Sequence, residues 1–315
     1  MWLSVAVHQA RQLSKVVLYS RRMRNHGLEN PRLYQSAHDL QRRDNQMILD
    51  FYKNTLERNL CLESAQVLDI GCGSGDSSHD LLLPLAVEHL GAQRLVATDL
   101  SPAMVEFARE SYPHRSICYD VYDVSSTEST ELLLSKYGYF DVVFSLYALH
   151  WVRDLGKALK NIRRLLRPPR SVKDSPKSSP AFVAARSDSE FLLAFLALNP
   201  AVLVYHDLAK KPRWAKYFNE SHIPFGEIYC QKDLEGLAAS SGLGLRSCEV
   251  LNLECQHPSM ETLRESAVAV CPFYQSIPKN VVEEFERDLV EAYLRLSEGT
   301  TVFNYQLAVL HGFAQ

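Results

Sequence analysis

The densest chemistry in this chain lies in Val67-Leu68-Asp69-Ile70-Gly71-Cys72-Gly73-Ser74-Gly75-Asp76. A short apolar strand there feeds a turn whose glycines, Gly71, Gly73 and Gly75, accept positive φ and let a ligand touch the backbone. A helix follows, with its free N–H groups aimed at that ligand. The spacing is G-x-G-x-G rather than the G-x-G-x-x-G of dinucleotide folds, and the lysine of a phosphate-binding loop is missing. Asp69 falls inside the strand, where a buried carboxylate is costly unless an ammonium or a network of backbone N–H groups pairs with it. The next apolar run ends in Asp99-Leu100, which puts an acid where it can accept both hydroxyls of a ribose. The third closes on Tyr122-Asp123-Val124, with Asp123 placed to accept from the exocyclic amine of adenine and Asp120 a rival on the same strand. Three acids in that order suit an adenosine that carries an amino acid rather than a pyrophosphate.

The elements that must hold these residues follow from periodicity. Strands are expected at 66–70, 94–98, 117–121, 140–146 and 191–196, and helices at 40–60, 76–90 with a bend at Pro84, 101–111 and 155–166. Ser101 and Pro102 supply an N-cap and a first helical residue for the third of these helices. Residues 229–254 read as helix then strand, 281–296 as a helix with an apolar stripe, and 301–313 as a closing strand. Strands alternating with helices of this length imply crossover connections. The expected fold is α/β, doubly wound, with a mostly parallel seven-stranded Rossmann-like sheet, one antiparallel member and helices on both faces.

Composition narrows the class. The 315 residues carry 34 Lys+Arg against 37 Asp+Glu, a net charge of −3, which gives no electrostatic excess for non-specific nucleic-acid binding. No run of about 18 apolar residues is present to span a membrane. The seven cysteines form no C-x-x-C pair and no zinc-finger spacing, so a reducing, cytoplasmic setting without a metal site is expected. Residues 1–28 contain no acid but carry Arg11, Lys15, Arg21, Arg22 and Arg24, the features of a mitochondrial presequence; the alternative is an untargeted leader. Residues 1–30 are therefore read as an N-terminal extension and 31–315 as one domain. A Pro/Ser-rich insertion interrupts it at 167–190, where four prolines can sustain neither a helix nor an inner strand.

The glycine turn with its ordered acids resembles the class I S-adenosylmethionine-dependent methyltransferases, over roughly residues 31–167 and 190–315. That resemblance implies S-adenosyl-L-methionine as cofactor, with the turn holding the methionine portion, Asp99 the ribose and Asp123 the adenine. Tyr34, Leu100, Val124 and Ser145 are further cofactor candidates. Leu33-Tyr34-Gln35-Ser36, Leu40-Gln41-Arg42-Arg43-Asp44, the run from Phe140 through Leu149-His150-Trp151 to Asp154, Leu208 to Trp214 and Cys271-Pro272-Phe273 are similar to the arthropod juvenile hormone acid O-methyltransferase family. The resemblance implies methylation of the carboxylate of farnesoic or juvenile hormone acids, with Gln41 and Trp151 holding that carboxylate.

Residue chemistry supports such a role independently. A glutamine amide and an indole N–H are neutral donors suited to a carboxylate. Charge is neutralised when an anionic oxygen meets an activated methyl, so a strong ground-state ion pair would oppose the reaction. A carboxylate is already ionised at neutral pH, and no general base is needed. His150 is read either as a neighbour that orients Trp151 or as a packed histidine. Tyr147, Trp151, Trp214, Phe225, Phe273 and Tyr274 are expected to line an apolar pocket, built mainly from residues 200–300, for a small hydrophobic acid. Two alternatives stay open. A methyltransferase for another small acid, trans-aconitate-like or malonyl-carrier, would need an arginine in the pocket, for which Arg43 and Arg213 are candidates. A catalytically silent cofactor-binding module is the other.

Overall fold

Apolar side chains alternate along the inner strands, and the alternation builds two packed faces on one sheet. In β1 (Gln66–Ile70), Val67 turns to one face and Leu68 and Ile70 to the other. In β4 (Val142–Leu146) Val142, Phe144 and Leu146 oppose Val143, and in β5 (Glu190–Leu198) Leu192 and Ala194 oppose Phe191, Leu193 and Phe195. The period of two on both faces is the mark of strands covered on both sides. The computed structural model describes residues 30–56, 65–169, 189–218 and 229–315. The expected leader, residues 170–188 of the expected insertion and Phe225 lie outside the described residues.

With β2 (Arg94–Asp99), β3 (Ile117–Val121), β6 (Leu243–Gln256) and β7 (Val302–Ala314), the sheet has seven strands in the order β3-β2-β1-β4-β5-β7-β6. The first five run parallel, and β7 is antiparallel to both of its neighbours. Strand order reverses between β1 and β4, so their C-terminal ends open a crevice, the usual ligand site of such sheets.

Helices α1 (Pro31–Gln35) and α2 (Asp39–Tyr52) precede the sheet. The stretch after the glycine turn, α3, contains π-type turns at Ser78–Leu82 and Leu85–His89 on either side of Pro84, which has no N–H to continue a regular ladder. α4 (Pro102–Ser111) is capped by Ser101, which accepts from the Met104 N–H. α5 (Thr127–Tyr137) and α6 (Leu155–Leu165) cover the other face. The sequence reading identified neither α5 nor the helices α7 (Pro200–Lys210), α8 (Pro212–Ala215) and α10 (Met260–Ala269). α9 (Gln231–Ser240) and α11 (Val282–Leu296) fall where the pattern put them, but α2 stops at Tyr52, short of the expected Leu60. Helices α7, α8, α10 and α11 form a third apolar cluster of their own, a cap beside the strand ends. No described helix is long and apolar enough to cross a membrane.

The glycine turn is stitched to its surroundings by backbone. Gly71 and Cys72 donate to the Thr98 carbonyl at 2.7 and 2.8 Å. Gly71 has φ +87°, and a Cβ there would lie 2.1 Å from the Cβ of Ala148. Gly71→Ala must therefore force two strand ends apart as well as adopt a strained backbone, together costing about 2–4 kcal/mol. Gly91→Ala, at φ +73° but in open space, should cost only about 1 kcal/mol. Urea unfolding of both variants checks this, and equal losses would show that the Ala148 contact is unimportant.

Candidate active site

The acids expected from sequence lie at or just beyond the C-terminal ends of β1, β2 and β3. Asp69 is buried, accepts a hydrogen bond from Ser78 Oγ at 2.6 Å, and is pushed up to about 7 chiefly by burial. Asp99 Oδ2 accepts from the Gly73 N–H at 3.0 Å and Oδ1 from the Ser101 N–H at 2.8 Å. Each oxygen thus keeps a lone pair for a ligand hydroxyl. Burial raises Asp99 too, against the pull of these backbone bonds. Asp123 accepts from the Ser125 N–H at 2.8 Å. Its rival Asp120 is engaged elsewhere, by Lys136 Nζ at 2.7 Å and the Tyr137 hydroxyl at 3.1 Å.

Three other cofactor candidates differ in what they offer. Leu100 is partly exposed at the strand tip, and Val124 is buried with its carbonyl accepting from Asn161. Ser145 corrects the sequence reading: it is fully enclosed and its hydroxyl is donated to the Ile70 carbonyl at 2.9 Å, so its side chain joins β4 to β1 instead of reaching a ligand. Tyr34 lies on the turn itself, since a Cβ on Gly73 would come 3.2 Å from its ring. These groups fit an adenosine joined to an amino acid: an open glycine cradle, a diol-accepting acid and a buried carboxyl awaiting a cationic partner.

Beside the crevice is a cavity of about 390 Å³, within the usual range for small-molecule sites. Tyr34 lines it and touches the turn, so it stands at the boundary between the two spaces. Gln41 on α2 and the Leu149–Trp151 turn after β4 bring Gln41, His150 and Trp151 onto the same wall. The Gln41 Oε1 is buried without a hydrogen-bond partner. His150 packs 5.2 Å from the Trp151 ring, and burial alone drops its pKa to about 3, so it is neutral at physiological pH. Leu196, Ala201, Leu263, Ala267, Val270 and Phe303 supply apolar wall.

Tyr147 also lines the cavity, with φ +60°, a strained value for a tyrosine. Its backbone N–H is fixed on the Ala194 carbonyl at 2.7 Å and its hydroxyl donates to Asp44 at 2.5 Å. Asp44 is buried and also accepts from Tyr305 at 2.6 Å and from Arg43 Nε at 2.9 Å.

Three expected lining residues are placed elsewhere. Trp214 is buried in the cap, donating its indole N–H to Asp288 at 2.5 Å, and Phe273 is buried against Phe218 with ring centroids 4.4 Å apart. Tyr274 donates its hydroxyl to Glu286. None of the three lines the cavity; they hold cap helices to one another because α7, α8 and α11 need an apolar interior of their own. Sequence reasoning missed the residues that do line it from the cap, Ala201 on α7 and Thr262, Leu263, Ser266 and Ala267 on α10, along with Cys255 and His257 near the end of β6. The N-cap serines and asparagines of those helices, Asn199 and Ser259, were the available signals.

Asp69 carries a pH signature. Its folded carboxyl keeps a proton at pH values where the unfolded one has lost it. That preference favours the native state fully below about pH 4 and disappears as pH rises through about 7. Between pH 6 and 8 the ligand-free protein should lose about 1–2 kcal/mol of stability relative to Asp69→Asn. Chemical denaturation of the pair across this range checks the sign, and parallel pH profiles would contradict it.

Comparison with known proteins agrees with this geometry. Residues 68–169 match the family described as "Methyltransferase domain". The chain is 29% identical to juvenile hormone acid O-methyltransferase of Drosophila melanogaster over 270 residues, covering 84% of this chain and 82% of that protein. It is 26% identical to the Bombyx mori protein of the same name over 274 residues, 84% of this chain and 86% of that one. The fold is that of the YcgJ protein from Bacillus subtilis, with TM-score 0.51 and 17% identity over 86% of this chain and 99% of the other. S-adenosylmethionine is accordingly the cofactor, and the chain is a methyltransferase. The similarity runs along most of both insect proteins, and the chain is similar in sequence to the juvenile hormone acid O-methyltransferases.

Proposed function

We propose that this enzyme is a carboxyl O-methyltransferase for a hydrophobic acid with a single carboxylate, of the kind represented by farnesoic and juvenile hormone acids. The observation that carries the reading is that two neutral donors, Gln41 and Trp151, share one cavity with Tyr34 and with the apolar side chains of Leu196, Leu263, Val270 and Phe303, while the charged groups of its lining are two acids, Asp39 and Glu265, and Arg43. Rotation of the Gln41 side-chain amide by 180° exchanges its buried, unpartnered oxygen for its NH₂, which then faces a carboxylate. The names of the insect relatives support the substrate class.

S-adenosylmethionine, held by Asp69, Asp99, Asp123 and the glycine turn, supplies a methyl carbon activated by a sulfonium. The remaining work belongs to this chain's own residues and is mostly placement, worth several kcal/mol when oxygen and carbon are held in line. Gln41 and Trp151 orient the carboxylate without neutralising it, so its oxygen stays nucleophilic. His150 packs against Trp151 and fixes the indole; being neutral, it adds no cation that would over-stabilise the acid. The apolar walls take the hydrocarbon tail out of water, at about 25 cal/mol per Å².

One feature speaks against a dicarboxylate. Among the described residues lining the cavity, Arg43 is the one lysine or arginine, and its guanidinium is bound to Asp44, to the Tyr305 hydroxyl at 2.8 Å and to the Glu254 carbonyl at 3.3 Å. Arg213, the other candidate, pairs with Asp288 in the cap. A second carboxylate therefore finds no uncommitted cation in this wall.

A radiolabelled methyl-transfer assay over farnesoic, juvenile hormone, lauric and trans-aconitic acids tests the proposal. Methyl esters of the first three acids are expected, and activity confined to trans-aconitate would reject the reading. Gln41→Ala and Trp151→Ala should each lower turnover about 10–100-fold, the worth of one hydrogen bond to a charged group, with cofactor affinity within about threefold of wild type. Asp99→Ala should do the reverse and chiefly weaken cofactor binding by calorimetry.

A further inference from the structure

Among the polar groups around the crevice, His38 has bonding requirements that fix its charge. It is buried at the start of α2, between the Tyr34 helix and the glycine turn. Its Nδ1 lies 2.9 Å from the Tyr34 carbonyl oxygen and its Nε2 lies 2.9 Å from Asp76 Oδ2. A carbonyl and an ionised carboxylate only accept hydrogen bonds, whereas a neutral imidazole has one N–H to give. Both contacts can be made together only by the imidazolium. A proton on Asp76 is no alternative: burial pushes that acid up, but His38, Ser74 and Arg42 outweigh it and hold its pKa down to about 2. Arg42 Nη1 donates to the same Oδ2 at 2.7 Å and Ser74 Oγ to Oδ1 at 2.7 Å.

What the imidazolium holds is Tyr34. The two rings are stacked at 5.0 Å with 9° between their planes, and the Tyr34 ring in turn lies on Gly73. We propose that His38 is a positioning residue, an imidazolium latch that fixes Tyr34 over the glycine turn and makes cofactor affinity depend on one proton at residue 38. The proposal rests on the reading that Tyr34 faces the cofactor. Loss of that proton leaves two acceptors facing each other on one side of the ring, either at the Tyr34 carbonyl or at Asp76, and the link from α1 to the turn opens there.

The groups around the latch are few. Asp76 follows the turn, and Arg42, one turn along α2, shares its Oδ2 and bridges to Asp80 at 2.8 Å. Tyr34 stacks from α1, and the charges of Asp76 and Asp99 reach its hydroxyl. Tyr112, just past α4, meets Gln35. Burial disfavours the cation, but the bond and charge of Asp76 outweigh burial and raise His38 above its usual value. The cation, and with it the latch, is complete below the ordinary histidine pKa and is lost as pH rises through the raised one.

The test is NMR of ring-labelled histidine in the full-length protein, with His38→Gln assigning the signal, combined with calorimetry of S-adenosylhomocysteine binding at pH 6.5 and 8.5. Two protonated ring nitrogens on His38 are expected at pH 6.5, with a titration midpoint above that of a free histidine and a lower midpoint in Asp76→Asn. Wild-type affinity should fall at least fivefold more than that of His38→Gln over the interval; the comparison cancels Asp69 and the ligand's own groups. A singly protonated His38 at pH 6.5 overturns the proposal, and this readout needs no variant to fold. So does an identical pH dependence in the two proteins. Tyr34→Ala separates the underlying reading: if it binds the ligand as wild type does while His38 titrates as expected, the Tyr34 contact is wrong and the charge assignment stands.

Discussion

The site depends on an approach so close that residue 71 can carry no side chain. With a Cβ position 2.1 Å from that of Ala148, Gly71 allows the end of β1 to press against the start of the segment that leads to Trp151. One contact thus sets the glycine turn relative to Trp151, the proposed carboxylate donor. Methyl transfer by placement needs that relation held to within a fraction of an ångström, and backbone packed on backbone has few soft torsions with which to drift.

Around that contact, charge is distributed so that each space has a distinct electrostatic character. Asp69 and Asp99 lie together beside the glycine turn, and burial pushes Asp69 up to about 7. The neighbouring cavity carries Asp39, Glu265 and Arg43 in its lining. Asp44 offsets Arg43 from behind the wall while also holding the hydroxyls of Tyr147 and Tyr305. A buried acid that accepts from three donors ties down the hydroxyl of Tyr147, whose backbone is strained. The same pairing that stiffens the wall also removes the one arginine that could favour a second carboxylate. Tyr34 stands between the two spaces, stacked on His38, which in turn contacts Asp76.

Much of this was legible along the chain where the determining interaction is local. The glycine turn, the acids at the tips of β2 and β3 and the Ser101 cap depend on residues within a few positions of one another. Gln41 and Trp151, assigned by family resemblance, both reach the cavity wall. The aromatic residues of the cap were not legible. Trp214, Phe273 and Tyr274 look alike whether they line a ligand cavity or fill the interior of a helical layer, and the difference lies in which helices pack on them.

By itself the sequence determined the α/β order, the turn and the ordered acids, because strand period, glycine conformations and caps are properties of neighbouring residues. Tertiary structure alone decided the pairing of Asp44 with Tyr305, 261 positions away, the engagement of Asp120 by Lys136, the enclosure of Ser145 and the contact of His38 with Asp76. Each of these turns on whether a donor from a distant element reaches a particular acceptor. Hydrogen bonds and desolvation change over tenths of an ångström, a scale that residue spacing along the chain does not carry.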